Sequence, residues 1–460
     1  MTQSHSNESW AVVGGGFLGM TLALRLAQQG KNVTLFEAAK SPGGLASAWQ
    51  LGDLLWDRHY HVTLFSDRCL RALLSELGLE DSLQWRKART GFFVDSKLHS
   101  LSNAMEFLQF PPLSLVEKLR LGATILRASR IRDPKFLERL SVEDWLNRWS
   151  GRAVTKKIWL PLLRAKLGDA YRDASAAFIG ATIARMYAAR RTGGKTELFG
   201  YVPGGYARVL ERFEQVLCRL GVQLRLGEPV RAISPSAEGE LEVELRSVRS
   251  ERFKHVVVTT AAPLAAAMCP ALSAEEKRRL EAIEYQGIIC ASLLLKNSLS
   301  PFYITNIVDN GFPYTGVIEM SSFVDKGHFA NRALVYLPKY LPPDSPYFSM
   351  SDEQIRQDFV SALERMYAQF KREDVLCFQV SRVKYLLPIP TINYSASIPG
   401  STTSVSGLHL VNSSQIVDGT LNVNETVRLA EMAAERFAAP ASQHGSHSQE
   451  VCHELVATTS

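Results

Sequence analysis

The chain predicts an α/β fold of more than one domain, in which a parallel sheet assembled from separated segments carries a helical insertion and a second, β-rich domain. Three observations predict it. A strand, glycine turn, helix and second strand follow one another between Trp10 and Glu37; the pattern turns almost wholly helical between Ser102 and Tyr187; and strand-like runs return after Val222, densest from Tyr285 to Met350. At 460 residues the chain exceeds one ordinary hydrophobic core, so at least two domains are expected.

The first unit is the most specific. Ala11-Val12-Val13 breaks into Gly14-Gly15-Gly16-Phe17-Leu18-Gly19 and continues as the leucine- and alanine-rich run to Gln29. Gly14, Gly16 and Gly19 occupy the G-x-G-x-x-G positions: the first for a tight turn, the second for close backbone approach to a pyrophosphate, the third for helix packing on the strand. The helix start, including Phe17 and Leu18, offers free backbone N–H groups to phosphate. After Gly30, Asn32 to Phe36 reads as a second strand ending at Glu37, beside Ala38, where a ribose-binding acid is expected. This is a Rossmann-like dinucleotide site.

A second glycine pair follows in Lys40-Ser41-Pro42-Gly43-Gly44-Leu45-Ala46-Ser47-Ala48. With it the chain resembles the FAD-binding start of the flavin amine oxidase, protoporphyrinogen oxidase and phytoene desaturase superfamily, and is also similar to UDP-galactopyranose mutase. The resemblance implies non-covalent FAD, with Glu37 on the adenosine ribose and Gly43, Gly44, Leu45 and Ala46 beside the pyrophosphate. No cysteine stands near His59–His61 or Asn412–Gln415 to suggest a covalent link.

Trp56-Asp57-Arg58-His59-Tyr60-His61 follows a hairpin around Gly52-Asp53. The resemblance passes this segment beside the flavin ring, making His59, Tyr60 and His61 candidate flavin contacts and His61 a candidate catalytic group; packed histidines of a surface hairpin are the alternative. A helix is expected from Asp67 to Leu77, with Gly78 as its stop, and two short strands around Asp95-Ser96. In the insert, Ser141-x-x-Asp144 predicts a helix start. Arginines interleaved with Leu119, Leu121, Ile125, Leu126 and Ile131 suit either a packed lid or a helix in peripheral contact with a membrane. Pro161-Leu162-Leu163-Arg164-Ala165-Lys166-Leu167-Gly168 resembles a segment of the protoporphyrinogen-oxidase-like proteins, making Arg164, with Lys166, a candidate to meet an anionic substrate; a solvated helix face is the alternative.

The later returns complete the site. The resemblance brings the backbone of Val230 to the adenine, while the strand His255 to Pro263 closes this half-site and includes the candidate Thr260. Tyr314 and Glu319 are candidates for the substrate face, with core and edge-strand roles as the alternative. Lys296 lies one element too early to match the flavin-facing lysine of amine oxidases. Gly407 to Ile416, then Asn422 to Ala430, predict a strand, polar turn and helix aimed at the flavin. Asn412 stands where relatives place Gly-Asp, so Asn412, Gln415 and Asn424 are the candidate neutral contacts.

These readings divide the chain into a disordered start (1–9), an FAD domain (10–101 with 200–265 and 404–438), a helical lid or substrate subdomain (102–199), a β-rich substrate domain (266–403) and a disordered tail (440–460). The net charge of +6 is scattered, which excludes a dedicated nucleic-acid surface. The six cysteines show no C-x-x-C spacing, His444, His447 and His453 read as solvated tail, and no metal site is expected. No apolar stretch is long enough to span a bilayer and no secretory signal is apparent, so a cytoplasmic protein, with membrane association through the insert as the alternative, is expected. The leading function is an FAD-dependent oxidoreductase taking hydride from a small organic molecule to flavin N5. A non-redox flavoenzyme like the mutase and a non-catalytic FAD-stabilised binding protein are the alternatives.

Overall fold

The computed structural model describes residues 8–131, 134–188, 198–417 and 419–438. Residues 1–7 and the tail from 440 to 460, with its three histidines, lie outside the described residues; Ser9, expected in the disordered start, instead opens the first strand.

Strand β1 (Ser9–Val13), helix α1 (Phe17–Gln28) and strand β2 (Asn32–Glu37) form the expected unit. β1 and β2 lie within a five-stranded parallel sheet, ordered Gln223–Leu226, β2, β1, His255–Val258, Leu408–Leu410. Both faces are covered, which is why Ala11, Val12 and Val13 form an unbroken apolar run. The pleat sends Trp10 and Val12 toward α1 and the helices Gly205–Arg219 and Val423–Ala438, and Ala11 and Val13 toward Ile233, Val243 and Leu245 of a three-stranded antiparallel sheet. Arg25 of α1 pairs with Glu76 and Glu431, both at 2.7 Å, fastening α1 to its neighbours.

A seven-stranded sheet forms the second layer, ordered Val375–Pro388, Tyr285–Leu295, Ala333–Leu341, Gly316–Glu319, Ile304–Ile307, Thr90–Val94, Lys97–Ser100. The last two strands were expected within the FAD domain through residue 101. They join this sheet instead, because Thr90–Val94 pairs in parallel with Ile304–Ile307 and its partner turns back through Asp95 and Ser96, both left-handed. The helix Asp352–Met366 covers one face of the sheet through Ile355, Phe359 and Leu363.

The insert is helical as expected, with its longer helices at Leu115–Ala128, Val142–Trp149, Leu160–Leu167 and Ala176–Ala188. Ser114 and Glu117 form a capping box at the first, and the Ser141 hydroxyl accepts from Asp144 N–H at the second. Trp145, Trp159, Leu163 and Phe178 give the insert its own core. Among the described residues, no helix is long and apolar enough to cross a membrane.

Candidate active site

Two glycine turns meet at the carboxyl ends of β1 and β2, and each glycine does separate work. Gly14 N–H donates to Phe36 O at 2.8 Å, and Gly43 N–H donates to Gly15 O at 2.7 Å, which locks the turns together. A β-carbon at Gly19 would stand 1.8 Å from Gly14 O, so this position sets how closely α1 approaches the turn. Gly43 adopts φ +115°, a conformation that L side chains rarely take. Gly16 differs from both: its backbone suits any residue (φ −73°, ψ 177°), and an added β-carbon would meet nothing nearer than Gly44 Cα at 4.0 Å. The chain keeps an open face at Gly16, at the start of a helix that no side chain caps. Phe17 and Leu18 are buried, Phe17 against Tyr206 and Phe213, so only their backbone can serve a ligand.

Glu37 organises the adjoining rim. Its Oε2 accepts from Gly15 N–H and its Oε1 from Ala39 N–H, each at 2.7 Å, while Glu37 O accepts from Glu228 N–H at 3.0 Å. That last bond brings the Pro229–Val230 turn beside the acid, and Ala38 is exposed on the same rim. Each carboxylate oxygen keeps a free lone pair for a ribose hydroxyl. Thr260 borders Gly14, its Cγ2 3.6 Å from where a β-carbon there would lie, and its hydroxyl is buried without a partner. Losing the ribose acceptor is worth roughly 1–3 kcal/mol, so Glu37→Ala is expected to weaken FAD about 10- to 100-fold. Fluorescence titration of the apoprotein measures this, and an unchanged dissociation constant would leave Glu37 only its bonds to Gly15 and Ala39.

The segment after the hairpin separates its three candidates. His59 is buried; its Nδ1–H donates to Leu45 O at 3.0 Å, just beyond the second glycine pair, which leaves Nε2 an acceptor with no partner. Burial holds this imidazole down to about 4, so it is neutral. Tyr60 faces the other way, its hydroxyl 2.9 Å from that of Tyr340. His61 is half-buried; it donates from Nδ1 to His59 O at 2.9 Å and tilts against Tyr206 beside a small cavity shared with Trp56, Asp57 and Thr63. Burial and the neighbouring His59 hold His61 down to about 3. It does not line the cleft between the insert and the seven-stranded sheet, and Tyr206 sets the direction of its ring.

That cleft, about 1040 Å³, lies between the helical insert and the seven-stranded sheet. Leu160, Pro161 and Arg164 form one wall; the turn after Ile307, with Lys339 and Tyr340, forms the other. Arg164 is exposed there and donates to Tyr171 OH at 3.3 Å, and Lys166 Nζ stands 5.4 Å from the Tyr340 ring centre. Tyr314 contributes to the wall, but its hydroxyl is turned into the core, where it donates to Met366 Sδ at 3.5 Å beside Phe359. Glu319 is likewise buried, accepting from Leu299 and Ser300 N–H at 3.0 Å each. Lys296 is exposed just past the end of Tyr285–Leu295. Tyr340 was missed from sequence; a lysine and a tyrosine interrupting the apolar strand Ala333–Leu341 are the signal that marks it.

The last turn is built differently from expectation. Asn412 Oδ1 accepts from Ser414 N–H at 3.0 Å and Ser414 Oγ–H at 2.6 Å, capping its own turn. Gln415 Nε2 donates to Pro399 O and Leu410 O, and Asn424 ties Leu70 N–H to the last helix. These atoms hold the loop; any contact with the cofactor falls to its backbone and remaining donors.

The open face at Gly16, the uncapped helix and the unpartnered atoms of Thr260 and His59 fit a dinucleotide whose far end lies toward the second glycine pair. Fold and site together define a dinucleotide-dependent α/β enzyme of the flavoprotein oxidoreductase class. A family model for flavin containing amine oxidoreductases matches residues 19–436, and the chain belongs to that family, whose cofactor in this class is FAD. The chain is 34% identical over 80 residues to protoporphyrinogen oxidase 2 of Arabidopsis thaliana, covering 17% of this chain and 16% of that protein. It is 25% identical over 174 residues to the 15-cis-phytoene desaturase of Solanum lycopersicum, covering 34% and 30%. These matches span less than a third of the relatives' own lengths. An oxidoreductase from Methanosarcina mazei shares the fold with a TM-score of 0.71 at 18% identity, covering 93% of this chain and 100% of that one.

Proposed function

We propose that the protein is an FAD-dependent oxidoreductase that removes hydride from a carbon centre of an organic substrate bound in the cleft between insert and sheet. The observation that carries this reading is the Tyr60–Tyr340 hydrogen bond, which joins the segment following the glycine turns directly to the cleft wall. Bound FAD supplies the hydride acceptor. The chain's own residues orient and exclude: the glycine turns and Glu37 hold the ADP half, Tyr340 lines the cleft with Tyr60 bonded to it, and the walls of a cleft this size shield much of a bound molecule from water. Arg164, with Lys166 nearby, presents cations to an anionic group on the substrate. Two relatives named for oxidation and desaturation support the redox reading.

Anaerobic mixing of the holoenzyme with organic acids of cleft size tests the reading, since a substrate bleaches the visible flavin band in one phase. Arg164→Ala is expected to raise the substrate concentration needed for half-maximal bleaching about tenfold without changing the limiting rate, the pattern of lost uniform binding. Turnover that requires pre-reduced flavin and consumes no electrons would overturn the reading in favour of non-redox chemistry.

A further inference from the structure

The side of the insert that faces away from its core carries an apolar surface that none of the described residues covers. Met105, Leu108, Leu115, Val116 and Leu119 are 62, 53, 64, 64 and 65% exposed. They lie on two adjoining helices, Ala104–Gln109 and Leu115–Ala128, joined by the bond from Lys118 Nζ to Leu108 O at 2.6 Å. Isolated exposed leucines are ordinary; five large apolar side chains gathered on one ridge are not. Leu126 continues the stripe at 40% exposure.

Arginine dominates the charge around the ridge, and Glu106 of the first helix is taken up by Ser100 and Ser102. Arg120, Arg127 and Arg130 are exposed on or just beyond the second helix, between and after its apolar positions. Its one acid, Glu117, is taken up by Lys157 at 2.8 Å and by its capping role at Ser114. An apolar stripe interleaved with unopposed guanidinium groups matches the boundary between acyl chains and anionic headgroups. A second copy of this chain would bring an equally basic ridge to the contact, with Glu117, the one acid of the second helix, already engaged.

The ridge also adjoins the cleft. Pro112, between the two helices, lines the cleft wall, and Lys157 of that wall bonds both Pro112 O and Glu117. We propose that the ridge from Met105 to Leu119, with Arg120 and Arg127, docks the protein on an anionic lipid surface and sets the cleft mouth next to the bilayer, so that a lipid-dissolved molecule enters without crossing water. The docking goes beyond the oxidoreductase reading and stands whether or not that reading holds.

Flotation of the FAD-loaded full chain with vesicles of equal parts phosphatidylcholine and phosphatidylglycerol tests it. The protein is expected to float with these vesicles, to bind pure phosphatidylcholine vesicles at least about tenfold more weakly, and to be released by high salt. The double variant Leu115→Ser/Leu119→Ser is expected to lose at least about tenfold in vesicle binding while keeping one FAD per chain. A wild type that stays with the soluble fraction, or a double variant that floats equally well, overturns the proposal. So does a wild-type dimer, measured by light scattering, that the same two substitutions dissociate, since that assigns the ridge to a second copy. FAD content is read separately, so a failure of docking and a failure of the cofactor site give different results.

Discussion

Gly16→Ala is expected to yield a folded protein that binds FAD about 10- to 100-fold more weakly. The backbone there suits alanine, and the added methyl group meets no protein atom nearer than 4.0 Å, so the apoprotein should melt close to the wild type. The space it fills is that through which a pyrophosphate approaches the turn. Overpacking of roughly 1–3 kcal/mol corresponds to about a 10- to 100-fold loss of FAD affinity. Gly19→Ala separates this effect from simple damage: its β-carbon would stand 1.8 Å from Gly14 O, so that variant should lose stability as well as FAD. A Gly16→Ala protein with wild-type FAD affinity would mean that no ligand comes close at this position.

Asp57→Asn is expected to stabilise the protein at neutral and alkaline pH. Asp57 is 3% exposed, and burial pushes its carboxyl up to about 7 from an ordinary 3.8, against the pull of Tyr206 N–H, which donates to Oδ1 at 2.7 Å. The folded value lies above the unfolded one. Between about pH 4 and 7 the folded chain therefore keeps a proton that the unfolded chain has released, and this group's contribution to stability falls as pH rises. Above about pH 7 the whole cost is present, about 4 kcal/mol at ~1.4 kcal/mol per pH unit. Asparagine keeps the acceptor for Tyr206 N–H and carries no charge. Thermal melts of wild type and variant should diverge from pH 4 to pH 7 and run parallel above it; curves parallel throughout would show that Asp57 is not held protonated.

Where a residue's place depends on backbone, the sequence was a good guide to it. The turn at Gly14–Gly19, the acid at Glu37 and the second pair at Gly43-Gly44 are fixed by local geometry that few other residues can provide, and their spacing carries the information. The side chains of His61, Tyr314 and Asn412 were not legible in the same way. Each direction is set by contacts remote in sequence: Tyr206 packs His61, Met366 takes the Tyr314 hydroxyl, and the turn at Ser414 closes on Asn412. Tyr60 and Tyr340 meet across 280 positions, a pairing that only the layering of the seven-stranded sheet reveals. The placement of residues 90–100 was misjudged for a related reason: two strands with ordinary alternation do not announce which sheet they will join.

The central claim is that the two glycine turns and Glu37 grip the ADP half of FAD. Competition during titration of the apoprotein with FAD measures it most directly. One FAD per chain is expected, displaced by ADP and by ADP-ribose and indifferent to FMN, because FMN lacks the half these residues hold. Displacement by FMN with no effect of ADP would contradict it.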